Sequence, residues 1–341
     1  MIKVGVCGLG FMGRTHFAIY EQHRGSRVVA LMDHQPSRRN GDWRDPLGNL
    51  PSSWPVQVDM TGRRSYATVD ELCADPDIDL IDITLPTSLH ADVAVKALRA
   101  GKHVLSEKPM ALSYRDCKRI VEAAKKSRKY YMVAQCLRFW PQYVKIKELV
   151  DSKKLGKVCS MFLRRLASPP DYSSGAWLMD HTLSGGALFD LHVHDVDFAL
   201  FLLGKPKRVW AFGTTGPSGG IDHVLGVWHY GKDVLVSIEG GWCFHPPFPF
   251  QMYVNIRCEK ATIEWDMNAG SAIKVYRGEG ELEEIPVSDT TGWHMEIEYM
   301  LSCIANKRKP KVITPDSTAL TIKLAEAEQK SILENRPVQI R

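Results

Sequence analysis

A chain of 341 residues with 44% hydrophobic and 24% charged side chains is long enough for two globular cores and too apolar for a disordered protein. Its net charge of +5 is mild, and its basic clusters (Arg38-Arg39, Lys125-Lys126 with Arg128-Lys129, and Lys307 to Lys311) are short and lack an aromatic stacking platform, so no nucleic-acid partner is predicted. No run reaches the roughly 18 apolar residues of a membrane span, and the eight cysteines form no C-x-x-C pair and follow no export signal, which predicts a reducing, cytoplasmic compartment.

In chain order, Ile2–Cys7 reads as a strand, 13–22 as a helix and Arg27–Met32 as a second strand. Residues 34–62 carry Pro36, Gly41, Pro46, Gly48, Pro51, Pro55 and Gly62, a density of breakers that predicts a long irregular loop. Thr68-Val69-Asp70-Glu71 has the form of a capping box opening a helix. Strand 80–84, helix 90–100, strand 103–105, helix 114–126 and strand 130–134 follow. Strands separated by helices predict a doubly wound parallel sheet. Beyond Lys157, strands follow one another: 158–166, 208–214, 223–230, 234–240, 251–258, 261–265 and 272–276, with Gly231-Lys232 as a hairpin turn. One helix, about 187–203, precedes most of them, and another, about 318–333, ends the chain. The second half is therefore predicted to be α+β, built on one large, mostly antiparallel sheet.

Three motifs carry chemistry. Gly8-Leu9-Gly10-Phe11-Met12-Gly13 follows the first strand and opens a helix, the context in which G-x-G-x-x-G binds a dinucleotide pyrophosphate. Asp33, ending the second strand, stands where a ribose-binding carboxylate belongs; it favours NAD over NADP, although a 2′-phosphate has His34, Arg38 and Arg39 close by in sequence. Lys108, after the strand 103–105 and before Pro109, is placed at the carboxyl edge of the sheet, where a lysine meets the nicotinamide side and donates to a substrate oxygen. A surface lysine before a helix is the plainer alternative. In Gly185–Asp197, a single helix puts Asp190, His194 and Asp197 on one face, and a histidine beside a carboxylate suits proton transfer. A satisfied core histidine is the alternative there. His192 and His194 point to different helix faces, so no metal is predicted.

Together with His16, Thr84 to His90, Gly101 to Pro109, Arg138-Phe139-Trp140-Pro141, Leu155-Gly156-Lys157-Val158 and the terminal run to Val338, these residues resemble the Gfo/Idh/MocA oxidoreductase family along nearly the whole chain. The resemblance implies a Rossmann domain over 1–137 and a domain over 138–341 whose open-faced sheet serves substrate binding and oligomerisation as a homodimer or homotetramer, with the terminal helix packing back on the first domain. It implies Lys108, Asp190 and His194 as catalytic groups, and a cis Lys108–Pro109 bond. It adds Phe11, Met12, Arg38, Thr84, Pro86, His90 and Glu107 to the cofactor contacts, beside Gly8, Gly10, Gly13, Asp33 and Lys108. Arg164, Arg165, Trp177 and His245 are candidates for the substrate wall, as apolar rings suit sugar faces and guanidinium groups suit hydroxyls. Thr87 stands where the family commonly has asparagine, and the 34–62 loop replaces a helix. The expected reaction is hydride transfer between NAD and a secondary alcohol or ketone of a sugar, cyclitol or related polyol. The alternatives are transient oxidation by a retained NAD that permits elimination or hydrolysis, and a sensor or scaffold that has lost catalysis.

Overall fold

The structure, a computed structural model, describes residues 1–45, 54–231 and 233–341. Among them the chain forms a six-stranded and a nine-stranded sheet and divides into two compact units. The first comprises Met1–Gln135, Asp171–Trp177 and Trp293–Leu320; the second comprises Cys136–Pro170, Leu178–Gly292 and Thr321–Arg341.

The first unit runs β1 (Ile2–Cys7), α1 (Phe11–Gln22), β2 (Ser26–Met32), α2 (Pro36–Arg39), β3 (Arg64–Tyr66), α3 (Val69–Ala74), β4 (Leu80–Ile83), α4 (Thr87–Arg99), β5 (His103–Glu107), α5 (Tyr114–Ser127) and β6 (Tyr131–Ala134). The strands are all parallel in the order β3-β2-β1-β4-β5-β6. This is the doubly wound order, with its crevice at the carboxyl ends of β1 and β4. β4 is buried along its whole length, as expected for a parallel strand covered on both faces. The capping box forms: the Glu71 N–H donates to Thr68 Oγ1 (3.3 Å) and the Thr68 N–H to Glu71 Oε2 (2.9 Å). α4 starts three residues earlier than its apolar pattern predicts, directly after Pro86, whose fixed φ suits a helix entrance. In the predicted loop, four residues form α2 and Asp42 bridges Gln57. Pro46, Gly48 and Pro51 lie outside the described residues. β3 went unpredicted because Arg64-Ser65-Tyr66 has no apolar alternation to read.

The second unit continues with α6 (Pro141–Asp151), β7 (Val158–Leu166), α7 (His181–Ser184), α8 (Val193–Leu203), β8 (Arg208–Thr215), β9 (Ile221–Gly231), β10 (Val234–Gly241), β11 (Gln251–Cys258), β12 (Ala261–Asp266), β13 (Ile273–Arg277) and β14 (Leu282–Ile285). Then come α9 (Gly292–Ala305), α10 (Pro315–Glu334) and β15 (Val338–Gln339). α9 belongs to the first unit from Trp293 onward, and α10 does so up to Leu320. The sheet order is β14-β13-β12-β11-β7-β10-β9-β8-β15. All pairings are antiparallel except β7 with β10. Lys232 of the predicted hairpin turn lies outside the described residues, but β9 and β10 on either side of it do pair.

Two-residue alternation sorts this sheet into faces. Val209, Ala211, Val224, Trp228, Val236, Ile238, Val254 and Ile256 are buried on one. The other carries rows of side chains in register, such as Phe212, Leu225, Glu239, Arg164 and Tyr253. On the buried face two carboxylates of α8 each meet an arginine. Asp195 accepts from Arg165 Nε (2.7 Å), whose Nη2 also donates to Tyr143 Oη (3.0 Å). Asp197 accepts from Arg138 Nε and Nη2, each at 2.7 Å, and from Thr321 Oγ1 (2.7 Å).

Removing one partner of such a pair strands a buried charge. Arg138→Met is expected to cost about 3–5 kcal/mol of stability, and Arg138→Met/Asp197→Leu to regain most of it. Denaturant midpoints of the two variants check this; equal losses would refute it.

Candidate cofactor and catalytic site

In the first unit the glycines of the β1–α1 turn have separate physical reasons. Gly8 has φ +101°, a conformation side chains disfavour, and its carbonyl accepts from Thr84 Oγ1 (2.7 Å). A Cβ on Gly13 would stand 1.9 Å from Gly8 O, so α1 lies against the turn only if residue 13 has no side chain. Gly10 has φ −75°, which any residue adopts, and a Cβ there would meet nothing within 4 Å. What Gly10 preserves is open space at the head of α1, where no side chain caps the first N–H groups. Those donors and the helix dipole suit a pyrophosphate. Phe11 packs edge-on to Trp54 (5.5 Å between centroids) and near Tyr172 (6.0 Å), and Met12 beside it is half-buried.

Asp33, at the end of β2, is buried and binds the turn: Oδ2 accepts from the Leu9 N–H (2.9 Å) and Oδ1 from the Gln35 N–H (2.8 Å). A carboxylate has lone pairs left over for ribose hydroxyls. Arg38, expected within reach of the cofactor, is instead buried, with Nε donating to Asp45 Oδ2 (3.0 Å). Arg14 binds the same carboxylate and also donates to Leu9 O (3.0 Å), so Asp45 and the two arginines tie the following loop to the glycine turn. An arginine engaged this way is not available to a 2′-phosphate, which agrees with NAD.

At the neighbouring strand ends, Pro86 directly precedes α4, and Thr87 Oγ1 is buried without a hydrogen-bond partner. His90 lies between two loops, with Nδ1 2.8 Å from Pro109 O and Nε2 2.8 Å from Leu85 O. Burial lowers the pKa of this ring, so the neutral imidazole donates to one carbonyl at a time. Lys108 is half-buried after β5, and the Lys108–Pro109 peptide is cis. The Lys108 N–H donates to Glu107 Oε2 (3.0 Å).

Behind Lys108 is a cluster that sequence reading did not assemble. His16 Nδ1 stands 2.8 Å from Asp82 Oδ2, and His16 Nε2 stands 3.3 Å from Glu107 Oε1, with all three side chains buried. Burial opposes a charge on His16, but Asp82 and then Glu107 outweigh it and raise the imidazole pKa well above its usual value. Burial likewise pushes Glu107 up, yet His16 and Lys108 hold it below the usual carboxylate value. The Glu296 carboxyl of α9 is pushed well above its usual value, first by burial and then by Glu107. One sequence signal was available: Asp82 is a charged residue inside the apolar run Leu80–Ile83.

In the second unit, Gly185 (φ +82°) and Gly186 (φ +69°) turn the chain after α7. Asp222 pins the start of the next helix by accepting from the Ala187 N–H (3.1 Å) and the Ser218 N–H (2.7 Å). The expected single α-helix over 187–203 is corrected here. Leu188–His192 is a π-helical turn and α8 begins at Val193. Polar groups in this stretch separate accordingly. His192 is buried against Glu328 (2.9 Å), which also accepts from Trp228 Nε1 (2.6 Å). Asp195 and Asp197 are held by arginines, so Asp197 does not share a solvent-facing row with the other two. Asp190 and His194 are half-buried.

The candidate wall residues are scattered. Arg165 is buried against Asp195, and Arg164, on the opposite face of β7, pairs with Glu239 (2.9 Å). Strand alternation thus separates two adjacent arginines, and carboxylates engage both. Trp177, in the first unit, is half-buried in the short turn 174–179, and His245, in the second, is exposed after β10. Among the described residues no group of three or more His, Cys, Asp or Glu side chains has the arrangement of a metal site, and no helix is long and apolar enough to cross a membrane.

The glycines give a contrast to test. Gly10→Ala is expected to keep the thermal midpoint and to weaken NADH binding by about tenfold or more, roughly one lost charge-assisted contact. Gly13→Ala is expected to lower the midpoint itself, because its Cβ has no room. Fluorescence titration with NADH and thermal melts of both variants decide; undiminished binding in Gly10→Ala would contradict the assignment.

Comparison with known proteins agrees with this geometry. Residues 2–135 match the model of the oxidoreductase family with an NAD-binding Rossmann fold, and residues 143–264 match the Gfo/Idh/MocA C-terminal domain. An uncharacterised oxidoreductase of Streptococcus pneumoniae is 28% identical over 61% of this chain, and the match spans only about half (52%) of that relative's length. Inositol 2-dehydrogenase of Rhizobium meliloti is 24% identical over 99% of both chains. The solved structure of a levoglucosan dehydrogenase with NADH and levoglucosan shares the fold, with a TM-score of 0.84 at 19% identity over 99% of each chain. The dinucleotide turn, the sheet orders of both units and the two family matches make this chain a member of the Gfo/Idh/MocA family of NAD-binding oxidoreductases.

Proposed function

We propose that this protein transfers a hydride between NAD and a secondary alcohol or ketone of a sugar, cyclitol or related polyol. The observation that carries the reading is the joint position of the open dinucleotide turn and Lys108 on the carboxyl edge of one parallel sheet. That edge is where doubly wound sheets bind ligands. The relatives add the substrate class: one is named for inositol and another for levoglucosan.

In this reading the β1–α1 turn and Asp33 would hold NAD, which would supply the hydride acceptor. Lys108 stabilises the alkoxide that develops as the carbon–hydrogen bond weakens. His194 takes the hydroxyl proton, and Asp190 orients it or a neighbouring hydroxyl. Glu107, Thr84, Pro86 and His90 shape the nicotinamide end of the site. Trp177 and His245 remain the candidates for contact with the sugar.

Lys108→Met and His194→Ala are each expected to lower kcat by about 10²-fold or more, the usual contribution of a positioned acid, base or oxyanion donor. The assay is NADH formation on a polyol panel that includes inositols and levoglucosan. Unchanged turnover in both variants would sink the reading, and turnover without net NADH would move it to transient oxidation by a retained cofactor.

The open sheet face also favours a second copy of this chain as partner. Trp210, Phe212, Leu225 and Leu235 are exposed on β8, β9 and β10, a concentration of apolar surface uncommon on a monomer. The expected species is a homodimer or homotetramer, with Trp210→Glu/Leu235→Glu reducing it to monomers. Light scattering on both proteins tests this, and a monomeric parent would overturn it.

A further inference from the structure

We propose that His16 is a positioning residue for Lys108: from α1 it joins Asp82 of β4 to Glu107 of β5, and Glu107 in turn holds the Lys108 main chain. The inference rests on the reading of Lys108 as a catalytic group, but its first test does not depend on turnover.

The distances define a directed chain. Asp82 Oδ2 meets His16 Nδ1 at 2.8 Å in a hydrogen bond, His16 Nε2 lies 3.3 Å from Glu107 Oε1 as an ion pair without hydrogen-bond alignment, and Glu107 Oε2 accepts from the Lys108 N–H at 3.0 Å. The two strands joined are hydrogen-bonded neighbours in the sheet, and Glu107 is the last residue of β5. Lys108 follows with no residue between. Its carbonyl side is constrained too, since the Pro109 carbonyl meets His90. The main chain at Lys108 is thus held on one side by Glu107, which faces His16, and bounded on the other by Pro109, whose carbonyl meets His90.

A core built for stability alone would not place these groups together. Among the described residues, Asp82 of β4 and Glu107 of β5 face His16, Glu296 of α9 lies close enough to interact with it, and Tyr20, one turn along α1, and the Cys7 thiol of β1 adjoin Asp82. Asp82 Oδ1, Tyr20 Oη and both oxygens of Glu296 are buried without hydrogen-bond partners. Buried polar groups left in that state weaken a fold, and proteins retain them at functional sites. The directions of the His16 shift, upward from Asp82 and Glu107, and of the Glu107 shift, downward from His16 and Lys108, fit the same arrangement.

Two measurements on the full chain test this. In amide NMR spectra of protein labelled with 15N only at lysine, the Lys108 N–H, identified by the cross-peak that disappears in Lys108→Met, is expected far downfield, as an amide donating to a carboxylate. It is expected to move upfield in His16→Asn. An unmoved Lys108 amide overturns the proposal whatever the substrate is. The second measurement separates positioning from folding. His16→Asn is expected to lower kcat by about tenfold or more while the KM for NAD stays within about threefold. His16→Asn/Asp82→Asn removes the stranded charge and is expected to regain the thermal midpoint without regaining kcat. Recovery of both together would make the cluster purely structural and refute the proposal. If Lys108→Met itself leaves turnover unchanged, the catalytic reading of Lys108 fails instead, and the amide shift still reports on the His16–Glu107 link.

Discussion

The approach of α1 to the end of β1 is the constraint on which the first unit depends. With Gly8 O under 2 Å from where a Gly13 Cβ would stand, the helix seats against the strand only through glycine. That seating aims the uncapped head of α1 at the sheet's carboxyl edge. It also brings His16, one turn further along the helix, against Asp82 and Glu107. The same tight turn therefore places the N–H groups at the head of α1 and the histidine that reaches the strand directly before Lys108. Thr84 and Asp33 hold the turn from β4 and β2, so its shape is set by three strands.

Charge burial organises the second unit in a comparable way. A carboxylate in a core is tolerated only with a partner of good geometry. Arg138 and Arg165 supply that geometry to Asp197 and Asp195, and His192 with Trp228 supplies it to Glu328. These pairs anchor both the π turn and α8. Asp190 and His194 belong to the same helical run but stay half-buried. A π turn commonly occurs at a functional site, because it re-aims side chains relative to the helix that follows.

Much of the fold was legible in local pattern. Apolar strands with glycine, proline or a capping box at their ends, in alternation with helices, define the parallel sheet; successive strands with two-residue alternation define the other. Where the signal was weak the reading stopped short. β3 has three residues and no apolar alternation, and α9 mixes Trp293, His294, Met295 and Glu296 in an order that shows no clean face. The site was legible where backbone geometry dictates the residue, as at Gly8 and Gly13. It was less so where the meaning of a side chain depends on a distant partner. Arg38 read as a cofactor contact and proved to hold Asp45; Arg164 and Arg165, both candidates for the substrate wall, face opposite sides of a sheet.

By itself, the sequence determined that two kinds of sheet follow one another, that a dinucleotide turn opens the chain, and that Lys108 lies at a strand end. These are matters of spacing within a few residues, where steric and hydrogen-bonding rules act directly. Only the tertiary structure decided which charges are occupied. Asp82, Glu107 and Glu296 are 25 residues or more apart in sequence from one another or from His16, and their proximity is a product of strand order and helix packing. Burial then gives that proximity its force, since a charge removed from water interacts strongly with whatever the fold has put beside it.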